Sequence, residues 1–109
     1  MICICIHQEG DRRCVWAHGH AGSAPMGQDL VCAAVSTLLQ CLAENLVRYE
    51  EQGECCILRQ RISPGYLILD AASCSSPITA VFDAFMVGLR QLAREHPDCI
   101  LVGENKMQD

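Results

Sequence analysis

Two residue types in this chain can do nucleophilic chemistry together: an imidazole at His20 and a thiol at Cys32, twelve positions apart. A thiolate attacks carbonyl carbon far better than a thiol does, so a reactive cysteine needs a base or a positive field beside it. His20 stands in His18-Gly19-His20-Ala21-Gly22, and Cys32 stands in Asp29-Leu30-Val31-Cys32-Ala33-Ala34-Val35-Ser36. Between them run Gly22, Ser23, Pro25, Met26 and Gly27, residues that break regular structure and that can hinge a loop over a substrate. If Asp29 caps the helix that follows, Cys32 occupies the helix's first turn. Unpaired N–H groups and the macrodipole there favour a thiolate and an oxyanion. Asp29 can alternatively orient His20. Ser36, one turn after Cys32, can bond toward the site or back to the helix carbonyl four residues earlier. A loop over residues 21–28 spans at most ~29 Å, so contact between His20 and Cys32 is allowed but not required by chain length.

Blander readings stand beside each of these. A cysteine in an apolar helix is usually packing. Asp29 and Ser36 serve equally well as local caps, and Gly22 and Gly27 as plain turn formers. His18, His7 and His96 read as surface residues. A zinc site from His18, His20, Cys32 and Cys14 lacks a recognisable ligand spacing, so no metal and no cofactor is expected.

The elements that must position these residues follow from periodicity. Met1 to Gln8 alternates, with Ile2, Ile4 and Ile6 on one face and Cys3, Cys5 and His7 on the other, and Arg12 to Ala17 resumes an extended pattern after Glu9-Gly10-Asp11. That predicts a hairpin with His18 and His20 on the same side if its second strand persists. From Asp29, apolar residues recur at helical spacing to about Glu51, where Gly53 stops the helix. Cys55 to Ile62 reads as a strand with Cys55, Ile57, Arg59 and Arg61 sharing one side. Ser63-Pro64-Gly65 reads as a turn, and Tyr66 to Leu69 as the returning strand. Ser76 caps a second helix that starts at Pro77 and ends at His96-Pro97. Cys99 to Val102 closes the pattern as a strand, and Glu104 to Asp109 is expected to fray. The expected order is β-β-α-β-β-α-β over a single domain, residues 1–109. It is a two-layer α+β fold with two helices on one face of a small mixed or antiparallel sheet. A partner subunit could cover part of the other face.

Composition narrows the function. Half the residues are hydrophobic and 19% are charged, which excludes disorder. Thirteen acidic against eight basic residues leave a net charge of −5 with no basic run, so direct nucleic-acid binding is not expected. Met1 to Ile6 is the longest stretch read as a possible exported or spanning segment and is far too short to cross a bilayer, so no membrane association and a cytoplasmic location are expected. Nine cysteines scattered through predicted strands and helices, without a CxxC pair, do not form a disulfide framework and fit small buried thiols in a reducing compartment.

Gly19-His20-Ala21-Gly22, Gly27 and Asp29 to Ser36 resemble the signature of the ribosomal-processing cysteine proteases of bacteria, the Prp family. Gly65-Tyr66-Leu67 and the stretch from Gly88-Leu89 to His96-Pro97 resemble that family's later segments. The resemblance implies a cysteine endopeptidase with Cys32 as nucleophile, His20 as its base and Asp29 and Ser36 as supports. It also implies a homodimer. The implied substrate is the N-terminal extension of the twenty-seventh large-subunit ribosomal protein, removed before that protein works in the ribosome. Two departures bear on the substrate loop: Ser23 stands where an aromatic residue is common, and Pro25-Met26 stiffen the segment. The competing function is a non-catalytic peptide-binding module for ribosome assembly, in which Cys32 only packs.

Overall fold

The computed structural model describes residues 1–19 and 26–107, with side chains placed from residue 30 to residue 105 of the second stretch. The elements are β1 (Ile2–Glu9), β2 (Arg12–His18), α1 (Met26–Glu51), β3 (Cys56–Ser63), β4 (Tyr66–Ala72), α2 (Ser76–Glu95) and β5 (Ile100–Met107). This is the expected β-β-α-β-β-α-β order. The five strands make one sheet in the order β3-β4-β2-β1-β5, antiparallel except where β5 runs parallel to β1.

Both helices pack on one face. The alternation of β1 and β2 points Ile2, Ile4, Ile6, Val15 and Ala17 into that layer, where Leu67, Leu69 and Ala71 of β4 join them. From above, Val31, Val35, Leu39, Leu42 and Leu46 of α1 and Ile78, Phe82, Met86 and Leu89 of α2 close the core at helical spacing. Leu30 belongs to the predicted apolar stripe of α1 but is 72% exposed. The segment Leu30–Glu51 is long and apolar enough to cross a membrane by length and composition, and so is a longer candidate than the Met1 to Ile6 stretch. Its buried stripe lies on the sheet.

Several boundaries differ from the sequence expectation. Met26 and Gly27, expected in the loop, begin α1, so Asp29 lies within the first turn of the helix and is not its N-cap. β3 carries a bulge between Ile57 and Arg59: Ile57 pairs with Ala71 and Arg59 with Asp70, leaving Leu58 as the extra residue. The bulge reverses the alternation. Ile57 packs against the core while Arg59 and Arg61 lie on the opposite face, so the three do not share a side. The cap of α2 is Ser75 instead of Ser76. β5 does not fray after Val102 but continues to Met107, because β1 offers an unbroken edge as far as Glu9.

The uncovered face of the sheet is built from the alternate residues. Arg12 and Arg59 converge there on the carboxylate of Asp70, with Arg12 donating from Nε at 2.9 Å and Nη2 at 2.8 Å and Arg59 from Nη2 at 3.1 Å. Asp70 is 1% exposed, and the hydrogen bonds from Arg12 lead in holding its carboxyl below the usual range against the opposing effect of burial.

Candidate active site

Cys32 is half-buried, packed against the core on one side and lining a groove on the other. The groove has a volume of about 530 Å³ and runs between the first half of α1 and the end of the sheet formed by β2 and the β3–β4 turn. α1 contributes Cys32, Val35, Ser36, Leu39 and Gln40, which recur at three and four residues and therefore share a face. Ser36 thus lies where its spacing from Cys32 places it. The facing wall holds Ala17, His18 and Gly19 at the end of β2, and Ile62 to Leu67 around the turn.

The end of β2 is closely determined. His18 pairs with Tyr66 of β4 and Cys3 of β1, and its ring lies 5.0 Å from that of Trp16. Trp16 meets Tyr66 edge-on at 6.4 Å, and the Arg61 guanidinium lies over the Tyr66 ring at 5.7 Å. After His18 the strand stops, and Gly19 has φ +101°. His20, Gly22, Ser23 and Pro25 lie outside the described residues, as do the side chains of Met26 and Asp29. The structure therefore brings Cys32 and Ser36 together.

The position of Cys32 in α1 changes the electrostatic argument. With the helix beginning at Met26, Cys32 is in its second turn, beyond the four N–H groups that lack an intrahelical acceptor. The favourable field of a helix N-terminus falls off within the first turn. Helix-start amides next to Cys32 are thus not available to hold an oxyanion there.

The sequence reading did not place the β3–β4 turn in the site. The signal was present in Ser63-Pro64-Gly65, but only as turn chemistry. Its proximity to Cys32 follows from the pairing of β4 with β2, a long-range contact that no local pattern encodes. The remaining wall is more apolar than polar, and its polar side chains are the hydroxyls of Ser36, Ser63 and Tyr66, the Gln40 amide and the His18 imidazole. Among the described residues no cluster of His, Cys, Asp and Glu could hold a metal ion.

Cys32 thus stands half-buried on the wall of an open groove, and comparison with known proteins adds the family to this geometry. A search of curated proteins by sequence finds no match. Among solved structures, SMU.848 from Streptococcus mutans is 26% identical with a TM-score of 0.74, the alignment covering 98% of this chain and 96% of that one. The essential ribosomal processing protease Prp from S. aureus, solved with a covalently linked product peptide, aligns at a TM-score of 0.75 with 19% identity over 96% of this chain and 100% of that one. The same protease with a substrate peptide gives 0.78 and 16% over the same shares. At those identities the S. aureus structures establish the fold. The sequence itself matches the model of the family described as cysteine protease Prp over residues 1–101, which includes the whole groove, and the chain therefore belongs to the Prp family of cysteine proteases.

Proposed function

We propose that the chain is an endopeptidase in which Cys32 is the nucleophile and His20 the general base, and that it removes the N-terminal extension of the twenty-seventh large-subunit ribosomal protein during ribosome maturation. The observation that carries this reading is the placement of Cys32 on the wall of a peptide-sized groove within a chain of the Prp family. The S. aureus relative, a ribosomal processing protease captured with substrate and with covalently linked product, supports the substrate class. The groove's apolar walls suit uncharged side chains of an extended peptide.

The steps follow from the two groups. His20 takes the proton from the Cys32 sulfur, and the thiolate forms a C–S bond to the scissile carbonyl carbon. Collapse of the tetrahedral adduct breaks the C–N bond as the imidazolium returns its proton to the leaving amine. His20 then takes a proton from water, whose oxygen adds to the thioester carbonyl, and rupture of the C–S bond frees the acid and restores the thiol. Ser36, one turn from Cys32 on the same wall, is the supporting donor in this scheme, and Asp29 supports from the first turn of α1. Gly22, Ser23, Pro25, Met26 and Gly27 contact the substrate. The active form is a homodimer in the cytoplasm, and the eight other cysteines as thiols are in keeping with a reducing compartment.

Incubation of the extended ribosomal protein with Cys32→Ala and His20→Ala proteins tests the assignment. Each variant is expected to lose cleavage by at least ~10³-fold, since members of a catalytic unit act together. Near wild-type cleavage by either variant removes its residue from the mechanism.

A further inference from the structure

The segment that leads into His20 is gripped from two directions. The β2–β4 ladder ends at the His18–Tyr66 pair, and one further bond extends it, the Gly19 N–H donating to the Gly65 carbonyl at 3.0 Å. Gly65 is held by its own turn. Pro64 fixes the first central position and Gly65, at φ +74°, supplies the left-handed second one. On the other side of Gly19 lies the N-terminal end of β1, where a Cβ added to Gly19 would sit 2.3 Å from the Met1 carbonyl oxygen and 3.6 Å from the Ile2 Cα. Backbone on one side accepts its N–H, and backbone on the other excludes any side chain. At φ +101° only glycine is at ease. These contacts fix Gly19 itself at the edge of the sheet, one Cα–Cα step (~3.8 Å) before His20 in the chain.

We propose that Gly19 is a positioning residue of the proteolytic reaction. Clamped between the Gly65 and Met1 carbonyls, it sets the course of the backbone that delivers His20 toward Cys32, and the β3–β4 turn is therefore part of the catalytic framework as well as a wall of the groove. This inference rests on the reading of His20 as the base. It accounts for two positive-φ glycines meeting at one rung of the sheet beside the groove, which packing of the core does not demand.

The test measures kcat and KM on the extended ribosomal protein for Gly19→Ala, Gly65→Ala and Gly65→Asn, each checked for folding by thermal melting. Alkylation of Cys32 by iodoacetamide as a function of pH is followed for each variant, alone and combined with His20→Ala. Misplacing a reacting group by about 1 Å costs on the order of 10²-fold, so Gly19→Ala is expected to lower kcat by that factor with KM unchanged. Because the loss acts through His20, Gly19→Ala should not slow alkylation further once His20 is alanine, and should change the pH profile only while His20 is present. Gly65→Ala should reproduce part of the effect and Gly65→Asn should restore it, because asparagine tolerates the left-handed conformation. If Gly19→Ala does not fold, the Gly65 pair decides the matter by the same criteria. A folded Gly19→Ala or Gly65→Ala protein with wild-type kcat overturns the proposal. So does an equal loss in the His20→Ala background, which marks a general structural effect. Wild-type kcat in His20→Ala alone defeats the underlying assignment of the base, an outcome read before any glycine variant is made.

Discussion

The nine cysteines divide by environment, and the division predicts reactivity. Burial raises the thiol pKa of Cys14 and Cys55, and it pushes Cys74 up to about 11, helped by the neighbouring Cys55 and Asp11. Cys5, Cys41 and Cys56 are exposed. With limited iodoacetamide at pH 8, peptide mass spectrometry should find the exposed Cys5, Cys41 and Cys56, together with Cys32 as the nucleophile activated by His20, modified ahead of the buried thiols. Cys74 should label more than about 10²-fold more slowly, because so little of it is thiolate at that pH. Early modification of Cys74 in the folded protein contradicts its buried environment. Asp70 makes a second prediction at this scale. Its folded pKa is lowered, so the stability it contributes is fully present above the carboxylate's unfolded value of roughly 3.9 and is lost as pH falls through the lower folded value. Asp70→Asn is expected to cost about 2 to 3 kcal/mol at pH 7, since Arg12 and Arg59 lose a buried charged acceptor while remaining partly solvated. In urea melts the wild-type advantage should shrink below about pH 4. A constant gap from pH 7 to pH 3 removes Asp70 as the titrating group.

At the level of elements, the sequence was most informative where a single periodicity ran uninterrupted. The alternating isoleucines of β1 and the apolar stripes of the two helices placed the core, and the spacing of Cys32 and Ser36 placed both on the groove. It failed at element boundaries, where local preference did not decide the outcome. Gly27 argued for loop, yet α1 includes it near the helix start. Gly103, Glu104 and Asn105 are poor strand formers, but pairing with β1 satisfies their backbone. The bulge at Leu58 was invisible because an inserted residue leaves composition intact while reversing the faces, and only the facing strand reveals it. The same contrast between local and tertiary effects predicts opposite outcomes at two glycines. Gly88 lies inside α2, where a Cβ would touch only the flexible end of Leu38 at 3.4 Å. Gly88→Ala should therefore stabilise the protein by roughly 0.5 kcal/mol, most of the helix-propensity gain surviving a small adjustment by Leu38. Gly19→Ala meets rigid backbone and should destabilise. Chemical denaturation of the two variants in parallel checks the pair, and a destabilised Gly88→Ala protein shows that Leu38 has no room to move.

For the whole molecule, the one-sided packing of helices leaves a face whose composition bears on the proposed dimer. Leu101, Cys3, Cys5, Trp16, Ile68 and Tyr66 form neighbouring positions across four strands of that face, with Trp16 41% and Leu101 61% exposed in the single chain. Arg59 and Arg61 flank them on the outer strand. Large apolar side chains gathered on a sheet face suit association, whereas the same residues scattered singly need no explanation. A second copy contributing the same patch about a two-fold axis can bury both at once. A stable pair then needs roughly 1,000 Å² or more of buried surface, which a five-stranded face can supply. Sedimentation of the wild-type chain at micromolar concentration is expected to show a dimer, and Trp16→Arg or Leu101→Arg to shift it toward monomer while leaving far-ultraviolet circular dichroism unchanged. Because His18 lies against Trp16 and lines the groove, loss of the dimer through Trp16→Arg should also weaken substrate binding, seen as a raised KM. The Leu101 variant, whose side chain does not line the groove, separates the two effects: a monomer with normal KM confines the role of this face to association, and a dimer that survives both substitutions moves the interface elsewhere on the surface.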